Sequence, residues 1–291
     1  MTKFKTRKPH YEYLRKKWVA KHRKIQEDLW EKHGESLRKM AIGGLGGLLL
    51  LSAPQNQPLP EGVLIATRDD VVKDIDQNIL LAQDLNQELP PEVRSLSPEE
   101  EEKILDALSK NFGFSVKSEL KGVRLNRNYG LIGGEQHLYR YPGDSLQAHA
   151  DNATDWAMYG SSGIAPGLGA WGYFAPSKDE FSEIDKERER YYLAIQTFLA
   201  PGFSENVGKY RDFFKYRKML VVNSKTGQSV VAVVGDAGPA EWTGKHLGGS
   251  PEVMHFLGLS EGPRKGPVLY FFIDDPNDKI PLGPVRVKRS A

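Results

Sequence analysis

The stretch Gly235-Asp236-Ala237-Gly238-Pro239 decides our interpretation of the fold. It follows the apolar run Val230–Val234, which predicts a buried β-strand that ends at an acidic residue. A glycine-rich turn over 244–249, a short helix and a second apolar strand over 267–273 come after it. A strand that delivers one carboxylate to a glycine-flanked turn suits acid/base chemistry, so Asp236 is the first catalytic candidate. The alternative is that Asp236 only caps a turn.

The run from Lys218 to Asp274 resembles double-psi β-barrel enzymes that cleave cell-wall and related polysaccharides. The motif that carries the resemblance is the strand ending in Asp236, followed by the short helix 251–259 with its terminal Leu-Gly-Leu. In the bacterial lytic transglycosylases and fungal-type chitosanases of this group, that Asp is an essential acid or occupies its position. The resemblance therefore implies a six-stranded barrel with Asp236 as general acid/base.

One position departs from the chitosanase pattern, in which a Glu precedes the short helix. Gly249 stands there in this chain. Hydrolysis of a glycosidic bond needs two carboxyl groups, whereas a lytic transglycosylase can work with one that first donates and then accepts a proton. A second carboxylate would have to come from elsewhere, and the candidates are Glu241, Glu252, Glu135 and Asp151. The same departure suits a second hypothesis, a non-catalytic wall-binding or envelope-structural module.

A substrate groove is predicted from the aromatic residues, because aromatic rings offer large contact surfaces. The segment Ala148–Phe174 is rich in glycine and aromatic residues. Its alternative role is simple core packing. The predicted substrate-binding residues are Trp242, Glu241, Trp156, Tyr159, Trp171 and Glu135.

A metal-dependent wall peptidase is the third hypothesis. Its possible ligands are His137, His149, Asp151, Asp155 and His246. Their spacing matches no complete metal motif, and no His-x-x-x-His pair occurs. The sequence therefore predicts neither a metal nor a cofactor. The chain has no cysteine, which excludes disulfides, thiolate metal sites and a thiol nucleophile.

The N-terminal region predicts a membrane-anchored protein. Residues 1–40 carry thirteen Lys or Arg and five Asp or Glu, although the whole chain has a net charge of only +2. The apolar run 40–53 would span about 21 Å as a helix, short of a full bilayer core. We expect a short anchor or signal-peptide core at 40–53 with a basic cytoplasmic segment before it. The alternatives are a buried core helix and a basic helix that binds nucleic acid, and no nucleic-acid partner is expected.

The predicted fold class is α+β, with four segments along the chain. These are a basic cytoplasmic segment (1–39), an anchor with a proline-rich spacer (40–60), a helical stalk (61–113) and a barrel with inserted helices (114–291). The protein is expected to be anchored outside the cytoplasm or secreted, with a wall glycan as substrate.

Local signals predict the boundaries of several elements. The stalk helices are expected over 71–89 and from the capping box at Ser97 to about residue 111. A second capping box at Ser177 predicts a helix that runs to about Ala200. Further expectations are a short helix over 204–216 and a β-hairpin over 218–234.

Overall fold

A computed structural model describes residues 68–288 of the 291-residue chain, with side chains from Gln77 onward. The predicted basic segment and the anchor at 40–60 lie outside this part of the chain. Within residues 68–288, none of the helices combines the length and apolarity that a membrane crossing requires.

Six α-helices occur in the described residues. In chain order they are α1 (Arg68–Glu88), α2 (Pro98–Phe112), α3 (Ala153–Tyr159), α4 (Glu183–Arg190), α5 (Val207–Phe214) and α6 (Pro251–Phe256). Short 3-10 turns lie at Leu146–His149, Gly160–Ser162, Thr197–Leu199, Phe203–Glu205 and Glu241–Thr243.

Ten strands occur in the same part of the chain. They are β1 (Val116–Lys117), β2 (Glu119–Leu120), β3 (Val123–Arg124), β4 (Tyr129–Gly134), β5 (Tyr192–Ile195), β6 (Lys218–Asn223), β7 (Ser229–Ala237), β8 (Leu247–Gly249), β9 (Lys265–Ile273) and β10 (Gly283–Pro284).

Six of these strands close into a barrel. The order around it is β9-β4-β8-β5-β7-β6, and β6 pairs again with β9. The pairs β4–β8 and β5–β7 are parallel, whereas the other pairs in the ring are antiparallel. The expected six-stranded barrel and α+β class are therefore confirmed, with the inserted helices lying between strands.

The barrel strands carry apolar side chains on both faces, as their continuous apolar runs predict. On β6, Met219 and Val221 belong to one core with residues from all six barrel strands, which identifies this face as the interior. The alternating residues Leu220 and Val222 belong to a second core on the outside. The strand 267–273 is central, as predicted, because β9 pairs with β1, β4 and β6.

The two helices predicted as a stalk pack on the outer face of the barrel. Leu81 and Leu85 of α1 and Leu108 of α2 lie in the outer core beside strand residues such as Phe271. The α2 capping box at Ser97 forms as expected, with Pro98 in the first turn. These helices belong to the same compact unit as the barrel, which differs from a free-standing stalk.

The helix predicted from Ser177 to Ala200 is wrong in both its start and its end. Ser177 does bond Glu180, but the helix begins one turn later, where Ser182 and Asp185 form the capping box of α4. It ends at Arg190, and after Tyr191 the four residues Tyr192–Ile195 form β5. The apolar run 192–195 fits either a buried helix or a buried strand by periodicity alone, and the pairing with β7 and β8 decides for a strand.

The remaining local expectations are confirmed. Helix α5 lies within the predicted 204–216, and β6 and β7 form the predicted hairpin. The chain after Pro281 contributes only the two-residue β10, which pairs with β7.

Truncation of Leu81 tests the packing of α1 on the barrel. Leu81 is fully buried, so Leu81→Ala should lower the free energy of unfolding by about 2–5 kcal/mol through lost burial and a residual cavity. Ile79 on the same helix is 47% exposed, so Ile79→Ala should cost less than about 0.5 kcal/mol. Urea denaturation measures both values. Equal small effects would contradict the packing of α1 against β-strands.

Candidate functional site

Asp236 lies near the end of β7 and its carboxyl group is half-buried. Its Oδ1 accepts hydrogen bonds from the backbone N–H groups of Ala170, at 2.6 Å, and Ala237, at 2.8 Å. Burial raises the pKa of the Asp236 carboxyl above its usual range, although the two N–H donors act in the opposite direction. The result is an acid that holds its proton more tightly than an exposed Asp, as a general acid requires.

A surface pocket lies next to the loop that bonds Asp236, although Asp236 is not among the residues that line it. The loop residue Ala170, which bonds Asp236, is followed by Trp171, and Trp171 lines the pocket with Arg211, Asp212, Lys215 and Gly208. Arg211 Nη2 lies 3.4 Å from the Ala170 carbonyl oxygen, so the basic wall of the pocket contacts the loop over Asp236. Trp171 also packs against the interior core, and its indole N–H has no partner among the described residues. The predicted Trp171 therefore directly follows the residue that bonds the predicted acid.

Glu135 directly follows β4 and is only partly buried. Lys245 Nζ lies 3.1 Å from Glu135 Oε1. The backbone N–H of Glu135 donates a hydrogen bond to the Gly249 carbonyl at 2.9 Å. Gly248 lies beneath it, where a Cβ would lie only 2.2 Å from Glu135 Oε1 and would force the Glu135 side chain to move. The close approach of β8 thus fixes where this carboxylate sits.

The buried phenol of Tyr192 marks the centre of the site. Its hydroxyl donates a hydrogen bond to the Gln136 carbonyl. Burial raises the pKa of Tyr192 well above its usual value, and four carboxyl groups raise it further through their charge. These groups belong to Glu189, Glu135, Asp236 and Glu252. Two of these carboxyl groups, Glu135 and Asp236, lie at strand ends, and the other two, Glu189 and Glu252, lie on α4 and α6.

The other predicted binding residues lie in two places. Trp242 and Glu241 share the exposed 3-10 turn after β7, where Trp242 is 89% exposed. Trp156 and Tyr159 lie on α3, and Tyr159 packs edge-on against His255. Burial raises the pKa of Tyr159 to about 12.

Three of the four candidate partners of Asp236 occupy other environments. Asp151 is paired with Lys186 at 2.8 Å and with Arg190 at 2.6 Å. Glu241 lies in the exposed turn, and Glu252 is buried. Among the four candidates, only Glu135 is partly accessible and also belongs, like Asp236, to the set of carboxyl groups whose charge acts on Tyr192.

A second cluster lies at the end of α4, where Glu189 is buried between two histidines. Its Oε1 lies 3.3 Å from His137 Nδ1, and its Oε2 lies 3.2 Å from His149 Nδ1. The Leu138 backbone N–H also donates to Oε1 at 3.0 Å. Burial alone would raise the pKa of Glu189, but the two histidines outweigh it and lower that pKa. Glu189 is therefore a buried carboxylate.

Asp144 and Arg140 support His149 from behind. His149 Nε2 lies 3.0 Å from Asp144 Oδ2, an ion-pair distance, although this contact lacks good hydrogen-bond geometry. Arg140 holds Asp144 with two side-chain donors, at 2.9 and 2.7 Å. Burial alone would lower the pKa of His149, but Asp144 and Glu189 outweigh it and raise the pKa to about 9.

Glu252 reaches the same region from α6. Ser250, at the start of α6, connects this helix to the end of α4 and the start of β5. Its hydroxyl contacts the Arg190 carbonyl, and its N–H bonds the Tyr192 carbonyl at 3.1 Å. Glu252 is 3% exposed and its Oε2 has no partner among the described residues. Burial and the nearby charge of Glu189 raise the pKa of Glu252 to about 8.

The three histidines considered as possible metal ligands, His137, His149 and His246, do not all lie close together. His137 and His149 come together, whereas His246 contacts Arg127 Nη1 and accepts a bond from the Leu131 N–H elsewhere in the fold. Glu189, which joins the first two, was not singled out from the sequence. It lies in the charged run 186–190, which has the composition of a solvated helix face, and only the strand that follows reveals its burial.

Comparison with protein-family models gives no match, and comparison with curated proteins finds no significant relative. The functional assignment therefore depends on the barrel, the position of Asp236 and the chemistry of its neighbours.

The pH dependence of stability separates an acid from a turn cap at Asp236. Because the pKa of Asp236 is raised, its ionisation is less favourable in the folded chain than in the unfolded chain. This ionisation therefore lowers the free energy of unfolding, an effect that is absent at acid pH and grows as pH rises through the folded pKa. Asn keeps the Oδ1 acceptor without the charge. We expect Asp236→Asn to be more stable than the wild type at pH 7, with the difference vanishing near about pH 3. Thermal unfolding across this range measures it.

The matched control is Asp179→Asn in an exposed turn, which should show no such pH-dependent gain. A wild type that is more stable than Asp236→Asn at pH 7 would assign Asp236 the role of a turn cap.

Proposed function

We propose that this chain cleaves a cell-wall or related polysaccharide, with Asp236 as the general acid. One observation carries the proposal: a half-buried carboxyl group near the end of a barrel strand bonds the loop whose next residue, Trp171, lines a surface pocket. This is the position that the resemblance to double-psi barrel enzymes assigns to the catalytic acid.

The strand arrangement supports the finer assignment to the double-psi type. Two parallel strand pairs, β4–β8 and β5–β7, occur in an otherwise antiparallel six-stranded ring. Such pairs need crossover connections, which the inserted helices and loops between β4 and β8 supply. The short helix α6 follows β8 directly, in the order that the resemblance implies.

Glu135 is the proposed second carboxylate for a hydrolytic reaction. Asp236 donates its proton to the glycosidic oxygen as the bond to the sugar carbon breaks. Glu135 accepts a proton from the water that attacks this carbon, which leaves Asp236 as a carboxylate and Glu135 as an acid. Proton exchange with solvent after product release returns both groups to their starting states. Glu135 would take the role of the Glu that Gly249 replaces, because the Glu135 side chain lies directly over Gly248 of β8, the neighbour of Gly249.

A lytic transglycosylase would need only Asp236. The protonated acid would cleave the bond, and the resulting carboxylate would take a proton from a hydroxyl of the same sugar. The product then lacks the elements of water, which distinguishes the two reactions by mass.

The pocket beside Asp236 suits a sugar chain with polar or anionic groups. Trp171 offers an aromatic edge, while Arg211 and Lys215 offer cationic donors. Placement outside the cytoplasm, through the anchor at 40–53, remains part of this proposal and depends on the sequence alone.

Loss of the acid should abolish cleavage. We expect Asp236→Asn to reduce the rate on peptidoglycan or chitosan by roughly 10²–10⁴-fold, the usual contribution of general acid catalysis. A hydrolase should lose a similar factor in Glu135→Gln, whereas a transglycosylase should keep most of its activity in that variant. Mass spectrometry of the released fragments measures rate and product type together.

Glu261→Gln is the matched control, because Glu261 is an exposed carboxyl group with no role in the proposed site, and it should retain wild-type cleavage. Equal activity of wild type and Asp236→Asn would remove Asp236 from the mechanism. Retention on wall material without cleavage would instead favour the non-catalytic binding module, which the missing Glu at position 249 also suits.

A further inference from the structure

We propose that His137, His149, Glu189 and Glu252 bind one divalent transition-metal ion, with zinc as the ion that best fits this ligand set. The site is separate in chemistry from the proposed acid at Asp236, and it does not depend on the proposed glycan cleavage. Three of these side chains already converge, since their ligand atoms all lie within 4.8 Å of one another.

The distances within the cluster suit a shared metal ion. Zinc binds histidine nitrogen and carboxylate oxygen at about 2.0–2.2 Å, so neighbouring ligand atoms of a tetrahedral site lie about 3.3 Å apart. The Glu189 oxygens lie 3.3 Å from His137 Nδ1 and 3.2 Å from His149 Nδ1. A charge-assisted hydrogen bond would be shorter, at about 2.7–2.9 Å. The two contacts involve different oxygens of Glu189, and both are longer than a tight ion pair, so they are compatible with a carboxylate that shares one ion with the two histidines.

The surroundings of His149 have the arrangement of a metal-bound histidine. Its Nδ1 faces Glu189, while the other ring nitrogen lies 3.0 Å from Asp144. A carboxylate at the far nitrogen orients a ligating imidazole and increases its basicity. Arg140 fixes Asp144 with two donors, so the orienting group is itself held.

Glu252 supplies an independent indication of a ligand. Its side chain is almost fully buried, its Oε2 has no partner among residues 68–288, and it interacts electrostatically with both Glu189 and His149. A buried carboxyl group without a partner is costly. Glu252 lies outside the group of ligand atoms that are within 4.8 Å of one another, so its side chain would have to move to reach the ion. A cation shared with Glu189 would satisfy both carboxylates and remove their mutual repulsion, and on this ground we infer that Glu252 is the fourth ligand.

The expected role is structural. The three converging side chains are 1%, 6% and 2% exposed, in the order His137, His149, Glu189, so the site has no open face for a substrate. Closed sites with four protein ligands are typical of structural zinc. The ion would connect the segment after β4, the 3-10 turn at Leu146–His149, the end of α4 and α6. It would thereby hold in place the segment that begins with Glu135.

The test uses the untagged full chain, purified without chelators. Elemental analysis should find one zinc-class ion per chain. Removal with a chelator should lower the melting temperature, and added Zn²⁺ should restore it. Co²⁺ in place of zinc should give the visible absorption of a tetrahedral nitrogen–oxygen site. No stoichiometric ion together with no response to Zn²⁺ would overturn the proposal.

Variants locate the ion. Glu189→Gln and His149→Gln should lose the stoichiometric ion, and Asp144→Asn should weaken Zn²⁺ binding by roughly 10–100-fold while the fold is retained. His255→Gln is the matched control on α6 and should keep one ion per chain. The near-isosteric Glu252→Gln keeps the test valid if the other variants fail to fold, since it should weaken Zn²⁺ binding. Unchanged stoichiometry and affinity in Glu252→Gln and His149→Gln would place the ion elsewhere, for instance on His10, His22 or His33, and would contradict the proposal.

Discussion

The structure depends on the pairing of one four-residue strand. Strand β5 joins β7 in parallel and β8 in antiparallel fashion, and these two ladders close the barrel. The same strand fixes the site, because Ala194 lies opposite Asp236 and the residues just before Tyr192 include Glu189. A register shift between Leu193 and Ala194 accompanies the approach of Asp236. Such irregularities are frequent beside functional sites, where they redirect a side chain.

The concentration of carboxyl groups around β5 is electrostatically expensive. Removing a carboxylate from water costs several kcal/mol unless partners replace the lost hydration. Glu189 has three such partners, the two histidines and the Leu138 N–H, whereas Glu252 has an oxygen without any among the described residues. Asp236 is intermediate, with two backbone donors and partial exposure. These differences separate two buried carboxyl groups, Glu189 and Glu252, from two more accessible ones, Asp236 and Glu135.

Short-range sequence patterns predict those helices and strands whose own residues specify them. The hairpin β6–β7, the strand β9 and the capping box at Ser97 have turn residues, apolar runs and capping pairs that specify them directly. Strand β5 has no such signal, because its four apolar residues follow a charged helix and are compatible with continuing it. Its strand conformation arises from pairing with segments distant in sequence. The packing of α1 on the barrel is likewise a tertiary property that helical periodicity does not contain.

The candidate site could be predicted only in part, because some of its residues have local sequence signals and others meet only through tertiary pairing. Asp236 follows a clear strand and lies beside a turn, so its position could be anticipated from the sequence. Its proximity to Trp171 depends on a loop that returns from far upstream, and the meeting of His137, His149 and Glu189 depends on β5. Neither is encoded by a short motif. The charged run around Glu189 conceals a buried carboxylate, because burial there is imposed by the barrel.

The central claim is that the accessible carboxyl groups of Asp236 and Glu135 face one glycosidic bond. A crystal structure of the Asp236→Asn variant with a bound chito-oligosaccharide tests this most directly. The account predicts a sugar chain beside Trp171, with the position-236 side chain at the glycosidic oxygen and Glu135 within roughly 5–10 Å of it. A sugar bound away from position 236, or a separation well beyond that range, would contradict the account.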